Sequence, residues 1–143
     1  MNPTPVYLYD LTIESEQQYP LTDTEEQEIV NFCNINNYVI VERVTDNLNT
    51  FTSMSDQTNL INLLSKINKG ITVICYAMFR LTRDTENFLY IKNKLNKTSK
   101  LIVMEIPIDI YTIAGNQVYQ ITAIMDTFRW NRKYNKDSEV SCF

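Results

Sequence analysis

The stretch ITVICYAMFRLTRD, residues 71–84, joins a run of apolar residues to a polar segment with helical spacing. Its first eight residues are nearly all apolar, which predicts a central strand of a parallel sheet that is covered on both faces. Two arginines follow, Arg80 and Arg83, in a chain that has only 13 Lys and Arg. Open α/β sheets bind their ligands at the carboxyl ends of the strands. The pair therefore predicts either a phosphate clamp or the start of a surface helix.

Strands and helices are predicted to alternate on both sides of this run. Apolar, β-forming runs predict four strands, at residues 6–9, 38–44, 71–78 and 100–106. Pro107 blocks extension of the fourth strand. Apolar residues at helical spacing predict three intervening helices: one that begins with a capping box at Thr22 and Glu25, one that carries Leu60 to Ile67 and is closed by Gly70, and one that begins near Thr82.

A last, long helix is predicted from Ile113 to Lys133. The whole order predicts an α/β fold with three layers, a mostly parallel sheet of four to five strands, and this long C-terminal helix. The length of 143 residues fits one domain. We expect that domain at residues 1–133 and a flexible tail at residues 134–143.

The composition restricts the chemistry that this chain can perform. It contains no histidine and three widely spaced cysteines, so common zinc patterns and Ser-His or Cys-His nucleophiles are excluded. Cys33 and Cys75 are interpreted as buried thiols. We predict no metal and no cofactor.

The distribution of charge argues against DNA binding by this chain alone. The net charge is −4, opposite in sign to that of a self-sufficient DNA-binding protein. A basic end at Arg129, Arg132, Lys133 and Lys136 is either a solvated helix face, which we favour, or a weak nucleic-acid contact. The sequence has no apolar run long enough for a membrane span and no signal peptide, which predicts a cytoplasmic protein without a membrane partner.

Several spaced motifs resemble the catalytic domain of serine recombinases, the resolvase and invertase family. They are a first strand with Tyr7, "SDQTNLINLLSKINKG" before the central strand, "FRLTRDTENF" after it, and "PIDIYTIAGNQVYQITAIMDTFRWNR" near the end. The resemblance runs from about Val6 to Arg132 and implies a resolvase-like fold. It also implies an origin in a phage or another mobile element.

The resemblance implies a site for cutting DNA, and the matching positions are only partly kept. Family members use a serine just after the first strand, with arginines that stabilise the transferring phosphate. Two of these arginines match Arg80 and Arg83. The other charged or reactive positions differ: Tyr9 and Gln57 stand at arginine positions, Leu11 at the serine, and Phe79 at an acid.

These replacements predict a catalytically inactive protein. Losing one preorganised oxyanion donor typically costs about 10²- to 10³-fold in rate, and losing the nucleophile removes the covalent route. The alternative is an active DNA-nicking or recombination enzyme that uses the displaced hydroxyl of Thr12 or Ser15. In the inactive protein, Arg80 and Arg83 would pair with acids such as Asp84, Glu86 or Asp109, or bind an anion.

The last helix is the predicted interaction surface. In the resemblance this helix mediates dimerisation and leads into a separate DNA-reading domain, which we expect to be missing here. A regulatory or structural role through a protein partner or self-association is therefore predicted. The anchors are aromatic and large apolar residues, types enriched at interface cores: Val118, Ile121, Met125, Phe128 and Trp130.

Overall fold

The structure, a computed structural model, describes residues 2–66, 70–83, 85–95, 99–106 and 108–134, with side chains up to Met125 in the last helix. The strands within these ranges are β1 (Thr4–Ile13), β2 (Tyr38–Leu48), β3 (Thr72–Cys75) and β4 (Lys100–Val103). The α-helices are α1 (Asp23–Ile35), α2 (Thr58–Leu64), α3 (Thr85–Lys94) and α4 (Ile113–Tyr134). Within the same ranges, short 3₁₀ turns lie at Glu14–Glu16, Met54–Asp56 and Met78–Arg80.

The strands form one parallel sheet in the order β2-β1-β3-β4. This confirms the predicted parallel α/β architecture, with four strands rather than five in the described ranges. β1 and β2 are longer than predicted, because their pairing runs from Thr4–Tyr38 to Ile13–Leu48. β3 pairs with β1 only at Tyr7 and Leu8. The carboxyl half of β1 thus projects past the end of β3, and the segment after β3 packs beside it; we refer to this region as the crevice.

Side chains alternate along β1 between two cores, which makes the fold three-layered. Tyr9, Leu11 and Ile13 pack with residues of α2, α3 and α4, whereas Val6 and Leu8 pack with residues of α1. Both faces of β3 are buried, since all four of its residues are inaccessible. The central position predicted for the apolar run is confirmed, and only its extent is shorter, because the chain turns into the 3₁₀ turn at Met78.

The structure confirms the predicted start of the first helix and places the end of the second helix earlier than predicted. The capping box is confirmed: the Glu25 N–H donates to Thr22 Oγ1 at 3.2 Å, and the Thr22 N–H donates to Glu25 Oε1 at 2.9 Å. α2 ends at Leu64, earlier than predicted, and Ile67 lies outside the described residues. Gly70 has a φ of 68°, in the left-handed region that favours glycine.

α4 runs through Tyr134, one residue beyond the predicted helix end at Lys133. The rest of the predicted tail, which includes Lys136, lies outside the described residues. Asp84 and Pro107 also lie outside them. The start of α4 approaches the preceding loop so closely that a Cβ at Gly115 would overlap the Asp109 carbonyl. None of the helices in the described part of the chain is long and apolar enough to cross a bilayer.

Candidate functional site

The crevice beyond the carboxyl ends of β1 and β3 contains both predicted arginines. Arg80 ends the 3₁₀ turn that follows β3, and Arg83 lies three residues later. The turn is fixed at its start because the Met78 N–H donates to Glu105 Oε1 at 2.9 Å. Arg80 and Arg83 are each only 6% exposed. Buried guanidinium groups need anionic or polar partners, so the identity of those partners decides what the crevice can bind.

Arg80 forms an ion pair with Asp10 on β1. Its Nη1 lies 3.0 Å and 3.3 Å from the two Asp10 carboxylate oxygens and also donates to the Tyr19 carbonyl at 3.0 Å. Its Nη2 lies 3.9 Å from Glu25 Oε1. Burial raises the pKa of Asp10, while the adjacent Arg80 guanidinium opposes that rise. The Arg80 Nε is buried and has no hydrogen-bond acceptor among the described residues.

Arg83 forms a second ion pair, with Glu16 in the turn after β1. Its Nε donates to Glu16 Oε1 at 2.8 Å, and its terminal nitrogens donate to Gln18 Oε1 and the Phe79 carbonyl. Gln18 Nε2 in turn donates to the Leu11 carbonyl. These bonds fasten residues 14–19 to the loop after β3. The two arginines therefore bind segments of their own chain.

The positions expected for a nucleophile and an acid carry apolar side chains. Leu11 is fully buried in the core. Phe79 is 38% exposed, and its ring centroid lies 5.6 Å from the guanidinium carbon of Arg80. Neither side chain can attack a phosphate or transfer a proton.

The two residues at the other arginine positions are uncharged and contact each other in a hydrogen-bond network that also includes Asp46. Gln57 Nε2 donates to the Tyr9 hydroxyl at 2.9 Å and to the Leu81 carbonyl at 2.7 Å. Tyr9 donates to Asp46 Oδ2 at 2.8 Å. Asp46 also accepts the backbone N–H groups of Asn59 and Leu60 at the start of α2. Burial is the main cause that raises the pKa of Tyr9, so its hydroxyl stays protonated.

The two hydroxyls considered as alternative nucleophiles lie on the segment that leaves the crevice. Thr12 is buried on β1 and donates to Asn47 Oδ1 at 2.6 Å. Ser15 is exposed in the turn Glu14–Glu16, where its backbone N–H donates to the Asn49 carbonyl. The Thr12 proton is therefore directed to an amide oxygen on β2.

The sequence missed the acids that pair with the arginines. It proposed Asp84, Glu86 or Asp109, whereas the described partners are Asp10 and Glu16 (Asp84 lies outside the described residues). A local signal was present, since Asp10 stands between two replaced positions. The network partner Asp46 had no comparable signal, because it is 37 residues from Tyr9 along the chain.

The last helix divides into a core face and an exposed apolar face. Tyr119 and Ala123 are buried, and Val118 packs partly against the same core. Four apolar side chains on the other side are about half exposed or more: Ile113, Ile121, Ile124 and Met125. Val118 therefore packs mainly against the core, whereas Ile121 and Met125 lie on the exposed face. The side chains of Phe128 and Trp130 lie outside the described residues.

The comparisons with known proteins agree with the parallel α/β fold described above. A family model described as the resolvase N-terminal domain matches residues 12–138. The N-terminal catalytic domain of TP901-1 integrase has a similar fold, with a TM-score of 0.60 and 16% identity over 92% of this chain and 100% of that chain. A resolvase family site-specific recombinase from Streptococcus pneumoniae has a TM-score of 0.58 and 18% identity over 94% of each chain. Comparison with curated proteins gave no match.

Proposed function

Because this chain belongs to the resolvase N-terminal domain family, we propose that it is a catalytically inactive member, of phage or mobile-element origin, that works through protein–protein association. The observation that carries the first part is the pairing of Arg80 with Asp10 and of Arg83 with Glu16. Guanidinium groups that are neutralised by carboxylates of their own chain do not attract a phosphodiester. The carboxylates of Asp10 and Glu16 thus occupy the guanidinium groups that would otherwise bind a substrate phosphate.

The remaining positions support the same proposal. A phosphoryl-transfer site needs an activated nucleophile together with positive charge aimed at the non-bridging oxygens. Here Leu11 replaces the hydroxyl, and Tyr9 and Gln57, which carry no positive charge, are hydrogen-bonded to each other, with Tyr9 also bonded to a buried carboxylate. All these differences act in the same direction, because each removes a reactive group or a positive charge from the crevice.

Incubation with supercoiled plasmid DNA tests the loss of catalysis. We expect neither nicked circles nor a covalent protein–DNA adduct after denaturation, under conditions in which an active serine recombinase forms both on its own site. Thr12→Ala and Ser15→Ala are the matched variants. An adduct formed by the wild-type protein and lost in either variant would reject the proposal and support a displaced nucleophile.

The proposed association uses the exposed apolar face of α4, and we propose a second copy of this chain as its occupant. That face carries Ile113, Ile121, Ile124 and Met125, with exposed fractions between 48% and 85%. Large apolar side chains are the usual anchors of interface cores. The family resemblance supports self-association, because the corresponding helix mediates dimerisation in relatives.

A further inference from the structure

The exposed apolar face of α4 contains a methionine, and this residue makes the face sensitive to oxidation. We propose that oxidation of Met125 to its sulfoxide dissociates the dimer, so that Met125 is an oxidation switch for self-association. The switch rests on the proposed function, because it concerns the regulation of the same face. Its oxidant is a two-electron oxidant of the peroxide class, such as hydrogen peroxide.

Met125 is the most accessible methionine in the described part of the chain. Its exposed fraction is 48%, whereas that of Met78 is 1%. Met54 and Met104 are partly buried, and each packs against one of the two cores. Oxidation of a thioether requires contact between its sulfur and the oxidant, which an exposed side chain allows. A limited dose of peroxide should therefore oxidise Met125 first.

The neighbours of Met125 place it among the apolar side chains that a second copy would cover. It lies one helical turn after Ile121 and next to Ile124, with exposed fractions of 56% and 54% for these two isoleucines. Interface cores are apolar, and methionine is one of the residue types enriched in them. The Met125 sulfur should therefore lose its contact with water when the dimer forms.

Oxidation changes the polarity of this one side chain. A lone pair of the sulfur attacks one oxygen of hydrogen peroxide, an S–O bond forms and the O–O bond breaks. The departing oxygen takes up the proton of the transferred oxygen and leaves as water. The sulfur thus loses two electrons, which the peroxide gains. The product is a polar sulfoxide in place of an apolar thioether.

A buried sulfoxide opposes association. A polar group that is buried without a hydrogen-bond partner should weaken the dimer by about tenfold. A symmetric dimer buries the same residue from both copies, so the combined loss of affinity is about 10²-fold. Since association and oxidation then disfavour each other, the dimer should in turn protect Met125 from peroxide.

Light scattering before and after treatment with hydrogen peroxide tests the switch, while peptide mass spectrometry measures oxygen addition at each methionine. The dissociation constant of the wild-type dimer should rise about 10²-fold as Met125 is oxidised. Methionine sulfoxide reductases should reverse this change. Met125→Leu and Met104→Leu are the matched variants, each compared with its own untreated sample. Peroxide should weaken association of Met104→Leu as in the wild-type protein, but not that of Met125→Leu.

The rate of oxidation is a second readout. In the wild-type protein, oxygen addition at Met125 should become slower as the protein concentration rises above the dissociation constant. The rate at Met104, which packs partly against a core of its own chain, should not depend on protein concentration.

Three results overturn the switch and leave self-association standing. They are a dissociation constant that is unchanged when Met125 is oxidised, an equal response of Met125→Leu and the wild-type protein to peroxide, and a rate at Met125 that is independent of protein concentration. If Met125→Leu does not associate before treatment, the wild-type measurements alone decide. A wild-type protein that is monomeric before treatment overturns self-association and the switch together.

Discussion

At the scale of single residues, the replacements in the crevice depend on one another. A tyrosine in place of an arginine buries a hydroxyl that needs partners, and Gln57 and Asp46 supply them. Asp46 is itself stabilised by two backbone N–H groups of α2. Placing an arginine at Tyr9 or at Gln57 would therefore disrupt several hydrogen bonds.

Tyr9→Phe measures the strength of this network. The change removes a donor to Asp46 and an acceptor for Gln57 in a buried site, which should lower the free energy of unfolding by about 1–3 kcal/mol. Urea unfolding followed by circular dichroism measures it. Tyr7→Phe is the control, because the Tyr7 hydroxyl has no hydrogen bond among the described residues; equal effects of the two changes would contradict the network.

At the scale of elements, the edge strand β4 is closed by tyrosine hydroxyls instead of another strand. The Leu101 and Val103 N–H groups point away from β3 and donate to Tyr111 and Tyr119, each at 3.1 Å. An open strand edge would otherwise invite pairing with another chain. Tyr119 of α4 and Tyr111, which lies just before the helix, therefore protect this edge of the sheet.

Tyr119→Phe should destabilise the fold by about 1–3 kcal/mol, because the buried Val103 N–H loses its acceptor while the ring contact with Phe88 is kept. Thermal or urea unfolding measures this loss. Tyr90→Phe, at an exposed tyrosine of α3, is the matched control and should change little.

Alkaline pH tests the burial of the same hydroxyl, because burial raises the pKa of Tyr119 although the hydrogen bond from the Val103 N–H opposes that rise. Burial raises the pKa of Tyr119 from 10.0 to about 12, so the folded state holds this proton more tightly than the unfolded chain. The stabilisation is complete below pH 10 and is lost as the pH rises through 12. The urea midpoint should fall over that window, less steeply in Tyr119→Phe; identical slopes would show that Tyr119 does not contribute.

At the scale of the whole molecule, the exposed face of α4 is the surface where we propose that a second copy binds. Burial of Tyr119 and Ala123 fixes the rotation of the helix, and this turns Ile121, Ile124 and Met125 outward. The protein thus presents a contiguous apolar strip beyond its own core, and such strips mark interaction sites.

Ile121→Asp/Met125→Asp should abolish self-association. Two charges in an interface core cost about 2 kcal/mol or more each, which together weaken a dimer about 10³-fold. Light scattering over a range of concentrations should give a dimer for the wild-type protein and a monomer for the variant. Ile35→Asp, at an exposed isoleucine of α1, is the control; a wild-type protein that stays monomeric would contradict the proposal.

The sequence by itself determined the alternation of strands and helices, the central place of β3, the capping box at Thr22 and the presence of an apolar side chain at Leu11. These features are local, since they depend on periodicity, on short-range hydrogen bonds or on the identity of one side chain. Only the tertiary structure decided that Arg80 binds Asp10, that Arg83 binds Glu16 and that Tyr9 reaches Asp46. These contacts join residues separated by 37 to 70 positions, and no local pattern encodes which charges a parallel sheet brings together.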